Sequence, residues 1–353
     1  MAHPNAKAAP RVAVVGATGM VGRELVALLE SRRFPAAELL PFSSGRARSS
    51  VRFRGRRIPA PAVDLRALGS CDLVFLVSSE DVARRYGPSL AKSGVWVIDD
   101  SSEFRLDPKV PLVIPEVNAS ALDFGKRLIA GPNCTMTGLA VAGWPLHQAA
   151  RLREARIASY QAVSGAGRSA LAEFFAQTRA LARSLDFASD GRAPLLRAPK
   201  PHALPRAIAG NVIPQVGGFD PAGCSGEENK VAAELRKVWG APGLRVSVTA
   251  VRVPVVRGHA LAAWLGFSRP LSPARARRLL ERAPGLDLSR PGDYPTPLDT
   301  AGRAPVRVGR LRAGTDNKEL ALWVVSDNLL KGAALNSVQI AEILLRRGWL
   351  KRP

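Results

Sequence analysis

Cys134 is the residue of this sequence that is best placed to do covalent chemistry. A short apolar run, 128–130, precedes its segment and a run of helical character, 139–150, follows it, so that the thiol stands where a predicted strand ends and a helix begins. The unpaired N–H groups of a helix start carry partial positive charge, which favours a thiolate and could hold an oxyanion formed when that thiolate attacks a carbonyl. Free cysteines are also common as small buried hydrophobes. This segment alone therefore leaves a catalytic role and a packing role open.

His259 is the histidine that best suits acid–base work with this thiol. The sequence has 4 histidines, and His259 stands next to a glycine at the end of a predicted strand. The others lie in the N-terminal segment, in a helical run and in a proline-rich segment: His3, His147 and His202. A pairing of Cys134 with His259 is a hypothesis at this point, because any chain of this length offers a cysteine and a histidine.

A glycine-rich turn near the N-terminus predicts a nucleotide-binding site. The β-branched run 11–15 leads into the sequence GATGMVG at 16–22, and 23–30 has helical spacing. Glycines between a strand and a helix let a pyrophosphate approach the backbone and the helix N-terminus. The spacing is a variant of the dinucleotide fingerprint, which the flanking strand and helix make fairly specific. The alternative is a turn that binds no ligand.

The residues after the second predicted strand, 38–42, bear on the choice of cofactor. A site specific for NAD would place an acid there to bind the ribose 2′-hydroxyl. This sequence has Ser43, Ser44, Gly45 and Arg46 instead. Hydroxyl and guanidinium groups suit a 2′-phosphate, so the sequence favours NADP. The alternative is a solvated basic loop.

Alternating strands and helices predict a doubly wound parallel sheet for the first part of the chain. Its further strands are expected at 72–77 and 95–99, with a helix at 82–92. After Cys134 the pattern changes. Strands are then expected at 155–163, 246–253, 261–267 and 320–325, with helices at 168–186, 227–239 and 332–347. The segment 187–210, rich in Pro and Arg, is predicted to be a surface excursion.

Composition bounds the remaining possibilities. A chain of 353 residues is expected to form two domains. No apolar run is long enough to span a bilayer, and the first residues lack the core of a signal peptide. The 3 cysteines are far apart and indicate free thiols in a reducing cytoplasm. The net charge of +22 suggests nucleic-acid binding as one function to consider. The excess arginine is spread through the chain without a binding motif, so we do not expect nucleic acid as a partner. We also expect no metal ion.

Several segments, taken together and in order, resemble the aspartate-semialdehyde dehydrogenase family from Val12 to Asn336. They are VAVVGATGMVG, IDDSSEFRLDP, VPLVIPEVN, GPNCT, YQAVSGAG, GEENK, VRVPVVRGH and DNLLKGAALN. The resemblance implies an α/β fold in which a Rossmann-type NADP-binding domain is joined to an α+β catalytic and dimerisation domain, as in glyceraldehyde-3-phosphate dehydrogenase. The first would comprise 1–132 plus 329–353 and the second 133–328. It also implies a cytoplasmic homodimer.

The reaction that the resemblance implies is the NADPH-dependent reductive dephosphorylation of 4-phospho-L-aspartate to L-aspartate 4-semialdehyde through a cysteine thioacyl intermediate. Run in reverse, it consumes semialdehyde, NADP and inorganic phosphate. The family's step belongs to the biosynthesis of lysine, threonine, methionine and diaminopimelate.

The resemblance also assigns roles to individual residues. Cys134 would be the nucleophile and His259 the acid–base, while Arg252 would bind the substrate carboxylate, Glu227 its amino group, and Gln161 would orient it. Phosphate would be held by Arg105, Asn133 and Lys230. The cofactor-binding residues, including those of the 2′-phosphate loop discussed above, would be Gly16, Thr18, Gly19, Met20, Val21, Ser43, Ser44, Gly45, Arg46, Ser164, Gly165 and Asn328.

The sequence departs from the family pattern at a few places. Thr135 follows the nucleophile where serine is usual, Asp100 replaces an asparagine, Ala260 replaces a hydroxyl residue, Leu329 stands where a cation is usual, and the loop at 43–46 is rearranged. Cofactor preference is the inherited property that these departures put most in doubt.

Two alternatives to the family reading stay open. The first is an enzyme like N-acetyl-glutamyl-phosphate reductase, which carries a glycine before the cysteine and an aromatic residue after it; Asn133 and Thr135 argue against it. The second is a catalytically silent paralogue that binds NADP or nucleic acid. The intact Cys134, Gln161, Arg252 and His259 argue against that one.

Overall fold

The computed structural model describes residues 9–45, 49–184 and 199–350. The chain divides into two compact units: Met1–Asn133, Lys237–Gly240 and Leu330–Pro353 form the first, and Cys134–Arg236 with Ala241–Leu329 form the second. The boundaries of these units lie beside those that the sequence predicts. The short segment Lys237–Gly240 within the first unit was not expected.

The first unit is built on a five-stranded parallel sheet in the order β2-β1-β5-β6-β7. Its strands are β1 (Arg11–Val15), β2 (Glu38–Phe42), β5 (Leu73–Leu76), β6 (Trp96–Asp99) and β7 (Leu128–Ala130). Its helices are α1 (Met20–Ser31), α2 (Leu65–Gly69), α3 (Glu80–Lys92), α4 (Pro115–Asn118) and α10 (Leu335–Arg346), with a 3₁₀ turn at Ala119–Ala121 and a π-helical turn at Leu330–Ala334. A separate hairpin, β3 (Ser50–Phe53) and β4 (Arg56–Pro59), follows β2.

Both faces of this sheet are covered, which explains its continuous apolar strands. Val12 and Val14 of β1 lie in one core cluster with residues of α1 and α10. The intervening Ala13 and Val15 lie in a second cluster with residues of α2 and α3. Because successive side chains of a strand point to opposite faces, these two clusters mark the two layers of helices. The predicted doubly wound fold is confirmed.

The second unit is built on a six-stranded mixed sheet in the order β11-β12-β13-β10-β8-β9. Its strands are β8 (Leu152–Gln161), β9 (Arg245–Arg252), β10 (His259–Phe267), β11 (Leu286–Leu288), β12 (Val306–Ala313) and β13 (Glu319–Ser326). Its helices are α5 (Cys134–Ala150), α6 (Gly167–Ser184), α7 (Gly226–Val238, whose last two residues belong to the first unit), α8 (Pro273–Glu281) and α9 (Pro297–Thr300), with a 3₁₀ turn at Val163–Ala166.

Helix α5 covers one face of this mixed sheet, where it packs against β8, β10, β12 and β13. Its sequence is apolar on nearly all sides because most of its residues are buried. Gly138 allows a close approach to β13, since a Cβ atom there would lie 2.8 Å from the Ser326 hydroxyl. The packing of α5 fixes the position of its first residue, Cys134.

A buried lysine anchors the last helix of the first unit. Lys331 is 2% exposed, and its ammonium donates to Glu116 Oε2 at 2.5 Å, Gln339 Oε1 at 2.7 Å and Asn336 Oδ1 at 3.1 Å. Burial lowers the pKa of Lys331, and the Glu116 carboxylate opposes that shift. The segment that precedes α10 is thereby held to α4.

Within the described residues, no helix is long and apolar enough to cross a membrane. The same part of the chain contains no cluster of His, Cys, Asp and Glu that could hold a metal ion. Arg46, Arg48 and residues 187–198, the first half of the segment predicted to be a surface excursion, lie outside the described residues.

Candidate active site

Cys134 and His259, which the sequence pairs only by hypothesis, lie together in the second unit. Cys134 is the first residue of α5, and its Sγ lies 3.4 Å from His259 Nε2. His259 begins β10 and is completely buried, whereas Cys134 is partly exposed. A thiol at a helix start beside an imidazole is the arrangement that cysteine nucleophiles use.

The structure fixes which nitrogen of His259 carries the proton. The backbone N–H of Ala162 donates to Nδ1 at 3.0 Å, so Nδ1 must offer a lone pair and the neutral ring carries its hydrogen on Nε2. Burial and then the Arg252 charge lower the pKa of His259 to about 3, against a small opposing effect of the Gly258 carbonyl. His259 is therefore a neutral ring that directs an N–H at the sulfur.

Arg252 brings a buried positive charge to the same place. It ends β9, is 6% exposed, and donates from Nη1 to the Ala162 carbonyl at 2.9 Å. Burial lowers its pKa, and the charges of Cys134 and Glu227 oppose that shift. Gly165 leaves the space between these groups open, because a Cβ atom there would lie 2.9 Å from Arg252 Nη1 and 3.1 Å from His259 Nε2.

Glu227 accepts hydrogen bonds from two side chains, one of which belongs to the residue that follows the nucleophile. The Thr135 hydroxyl donates to Glu227 Oε1 at 2.7 Å, and Gln161 Nε2 donates to the same oxygen at 3.2 Å. Gln161 also donates to the Ser159 hydroxyl at 3.3 Å. The hydroxyl of Thr135, whose placement the sequence left uncertain, therefore orients a residue predicted to bind substrate.

The GEENK segment starts α7, and its charged residues have two different roles. Glu227 and Lys230 lie three positions apart and so share one face of the helix. Glu228 instead accepts from the backbone N–H groups of Ser225, at 2.6 Å, and Ala250, at 2.8 Å. Glu228 thus fixes the start of α7 to β9, a structural role that the sequence analysis missed.

In the first unit, Arg105 holds the segment that leads to the nucleophile. It is 8% exposed and donates from Nε to the Gly131 carbonyl at 2.9 Å and from Nη2 to the Asp100 carbonyl at 2.8 Å. Lys237 Nζ in turn donates to the carbonyl of Arg105 at 2.8 Å. Asn133, which is 5% exposed, ends the same segment.

Asp100, one of the departures from the family pattern, lies beside that segment. Its Oδ1 accepts from the Ser337 hydroxyl at 2.5 Å, and it would lie 2.4 Å from a Cβ atom at Gly131. Burial raises the pKa of Asp100 to about 6. A larger residue at position 131 would therefore displace the Asp100 carboxyl group, which is partly protonated near its pKa of about 6.

Asn328 and Ser164, both predicted to bind cofactor, bond to each other. Asn328 Nδ2 donates to the Ser164 hydroxyl at 3.0 Å, and Asn328 Oδ1 accepts from the Gly258 N–H at 2.9 Å. The neighbouring Asp327 is completely buried and accepts from Arg257 Nε at 2.6 Å. These bonds fix the segment before His259 to the end of β13, which the sequence analysis did not foresee.

Of the residues predicted to form the glycine turn, Gly16, Thr18 and Gly19 connect β1 to α1, and Met20 and Val21 are the first residues of α1. The N–H of Gly16 donates to the Phe42 carbonyl at 2.9 Å. Gly16 has φ of +86°, and a Cβ atom there would lie 2.1 Å from the Val77 carbonyl oxygen. Gly19 caps α1 without a side-chain hydrogen bond. Helix N–H groups behind a turn that excludes side chains fit the pyrophosphate of a dinucleotide.

The loop after β2, which the sequence predicts to bind a 2′-phosphate, has only some of its polar groups exposed. Ser43 is buried, and its hydroxyl donates to the Ala60 carbonyl at 2.7 Å. Ser44 and Gly45 are exposed, and Arg46 lies outside the described residues. No acid takes the place at which an NAD-specific site would carry one, but the hydroxyl of Ser43 is directed into the fold.

Both parts of the chain match models of known families. The family model described as "Semialdehyde dehydrogenase, NAD binding domain" matches residues 11–124, and "Semialdehyde dehydrogenase, dimerisation domain" matches residues 144–331. The aspartate-semialdehyde dehydrogenase of Synechocystis sp. is 39% identical over 345 residues, which are 96% of this chain and 98% of the relative. That of Streptomyces akiyoshiensis is 42% identical over 340 residues, which are 95% and 98% of the two chains.

Solved structures give the same result. The crystal structure of aspartate semialdehyde dehydrogenase II from Vibrio cholerae has a TM-score of 0.89 and 34% identity, and covers 96% of this chain and 99% of its own. A structure of that enzyme described as complexed with ASA matches equally well.

A nucleotide-binding unit, and a partly exposed thiol beside a buried imidazole in the other unit, fit an NAD(P)-binding oxidoreductase that acts on aldehyde groups. Because the matches extend over nearly the whole length of the chain, they identify the particular family. The chain belongs to the aspartate-semialdehyde dehydrogenase family, as its motifs predict.

Proposed function

We propose that this enzyme reduces 4-phospho-L-aspartate with NADPH to L-aspartate 4-semialdehyde and phosphate, and that Cys134 carries the acyl group between the two halves of the reaction. The observation that carries the proposal is the 3.4 Å approach of Cys134 Sγ to His259 Nε2 at the start of α5. The pathway role follows that of the family, in the synthesis of lysine, threonine, methionine and diaminopimelate.

The residues around the thiol support a substrate with both charges of an amino acid. The planar guanidinium of Arg252 suits the α-carboxylate, which it can bind through two parallel hydrogen bonds. The carboxylate of Glu227, oriented by Thr135 and Gln161, suits the α-ammonium group. An N-acetylated substrate has no ammonium group for Glu227, which disfavours the N-acetyl-glutamyl-phosphate reductase alternative.

In the reductive direction the Cys134 thiolate attacks the acyl phosphate carbonyl, and phosphate leaves with the electrons of the broken C–O bond. When bound, the nicotinamide cofactor would supply the hydride needed to reduce the resulting thioester. The Nε2–H group of His259 donates a hydrogen bond to the oxyanion that develops on the tetrahedral carbon. The thiohemiacetal then collapses, which returns the electron pair of the C–S bond to sulfur and releases the semialdehyde.

The residues of the first unit fit a dinucleotide, and we assign them to NADP because the carboxyl end of β2 lacks an acid. Phosphate is assigned to Arg105, Asn133 and Lys230, and the cofactor to the glycine turn, the loop after β2, Ser164, Gly165 and Asn328. The enzyme is proposed to act in the cytoplasm as a homodimer formed through its second unit, in line with the dimerisation-domain family model. Analytical ultracentrifugation tests the homodimer by its mass.

The experiment that tests the function is the rate of NADPH formation from purified protein, with phosphate present or omitted. Aspartate 4-semialdehyde is expected to support turnover that requires phosphate, and N-acetyl-glutamate 5-semialdehyde is expected to support little. Preference for the second substrate would replace the proposed function with the reductase alternative. Inactivity with both, in a protein that still binds NADP, would favour the silent paralogue.

A further inference from the structure

A cavity of about 540 Å³ lies next to the carboxyl end of β2. It is lined by Gly45, Ser49, Ser50, Arg57 and the segment 59–62. That segment runs alongside the strand end, because Ser43 forms a parallel β-bridge with Ala62. The carboxyl end of the second strand is where dinucleotide-binding folds read the ribose 2′ position. The cavity therefore stands where the cofactors NAD and NADP differ.

Gly45 leaves its side of the cavity free of a side chain. Gly45 has φ of +72°, and a Cβ atom there would lie 2.7 Å from the Ala62 Cβ. A side chain at position 45 is thus excluded both by its backbone conformation and by contact. Ser49 directs its hydroxyl hydrogen at the Ser43 hydroxyl and the Ala60 carbonyl, at 3.2 and 3.3 Å. Neither residue can supply a positive charge.

Arg57, on strand β4, supplies that charge from the hairpin. It is exposed, and its Nε donates to the Ser50 hydroxyl at 2.7 Å. A guanidinium has five N–H donors, and this bond uses one of them. The bond also leaves the hydrogen of the Ser50 hydroxyl directed elsewhere. No carboxylate is among the described residues that line the cavity.

We propose that Arg57 and Ser50 bind the 2′-phosphate of the adenine nucleotide of NADP in this cavity. The guanidinium fork of Arg57 matches two phosphate oxygens, and the Ser50 hydroxyl donates to a third. Preference for NADP is then set by the β3–β4 hairpin rather than by Arg46 of the preceding loop alone. The inference rests on the proposed use of NADP.

The test is isothermal titration calorimetry with adenosine 2′,5′-bisphosphate and with adenosine 5′-monophosphate. The proteins are the wild type, Arg57→Ala, and Arg56→Ala as the matched control on the same strand. Arg56 is also exposed but does not line the cavity. Arg57→Ala is expected to weaken the bisphosphate by about 10-fold or more and to leave the monophosphate unchanged, since a hydrogen bond between charged groups is lost. Arg56→Ala is expected to change neither.

The outcomes separate this inference from the proposed cofactor. A wild type that binds the two nucleotides equally would overturn the use of NADP, and with it the role of Arg57. A wild type that prefers the bisphosphate, together with an Arg57→Ala variant that keeps that preference, would overturn the role of Arg57 alone. In that case, weaker binding of the bisphosphate by Arg46→Ala would assign recognition of the 2′-phosphate to the loop after β2. Thermal melts confirm that each exposed-site variant is folded.

Discussion

Replacement of Thr135 by valine tests the most specific feature of the site. Thr135 is completely buried, and its hydroxyl donates to Glu227 Oε1 at 2.7 Å. Valine keeps the shape of the side chain and removes the donor, so that Glu227 retains the longer bond from Gln161, at 3.2 Å. A hydrogen bond to a charged group contributes about 1.5–3 kcal/mol. If Glu227 binds the substrate amino group, that loss corresponds to roughly a 10- to 150-fold fall in kcat/KM.

The assay is the initial rate of NADPH formation with aspartate 4-semialdehyde varied at saturating phosphate, and then with phosphate varied. Thr135→Val is expected to lower kcat/KM for the semialdehyde and to change the KM for phosphate much less. Thr135→Ser, the matched control, keeps the hydroxyl and is expected to lie near the wild type. Wild-type kinetics in the valine variant, or an equal loss in the serine variant, would refute a role of this bond in orienting Glu227.

Further predictions concern charge and protonation. Arg252→Lys is expected to lower kcat/KM for the semialdehyde on the order of a hundredfold, with a smaller change in the KM for phosphate, because a lysine cannot hold the carboxylate in place. Nitrogen NMR of His259 should show a neutral ring protonated at Nε2 at pH 6; a charged ring would contradict the structure. The pKa of Asp100 is raised from 3.8 to about 6, so the folded state binds more protons and loses stability as pH rises from about 4 to 6. Asp100→Asn should therefore raise the free energy of unfolding at pH 7, on the order of 3 kcal/mol, an effect that must vanish near pH 4. Lys331→Met should destabilise the protein by about 3–5 kcal/mol in urea denaturation because the Glu116 carboxylate, whose side chain is 9% exposed, keeps its bond from Gln339 but loses its cation, and adding Glu116→Gln should recover part of the loss.

Features that depend on a short stretch of sequence could be predicted. The glycine turn before α1 and the position of Cys134 at a helix start follow from local patterns of apolar residues and glycine. The buried parallel strands were found for the same reason, since their apolar runs are continuous. The hairpin β3–β4 was not predicted, although Val51 and Phe53 are buried in alternation. Its arginines made the segment resemble a solvated basic patch.

Features that depend on distant residues could not be found from spacing. The bond from Thr135 to Glu227 joins residues 92 positions apart, and the bond from Ala162 to His259 joins residues 97 positions apart. A list of candidate residues does not say which of them touch. The need for glycine at position 165 appears only once Arg252 and His259 are seen on either side of it. The motifs select the candidate residues, and the structure shows the contacts that explain why each residue is needed.

Rapid mixing in the oxidative direction is the most direct test of Cys134 as the carrier of the acyl group. Enzyme, NADP and aspartate 4-semialdehyde are mixed without phosphate, and the NADPH formed in the first turnover is compared with the concentration of active sites. We predict a burst of about one NADPH per active site that then stops, and steady turnover once phosphate is added. Cys134→Ala should show neither the burst nor the turnover while it still binds NADP. Phosphate-dependent NADPH formation by that variant would contradict the covalent mechanism.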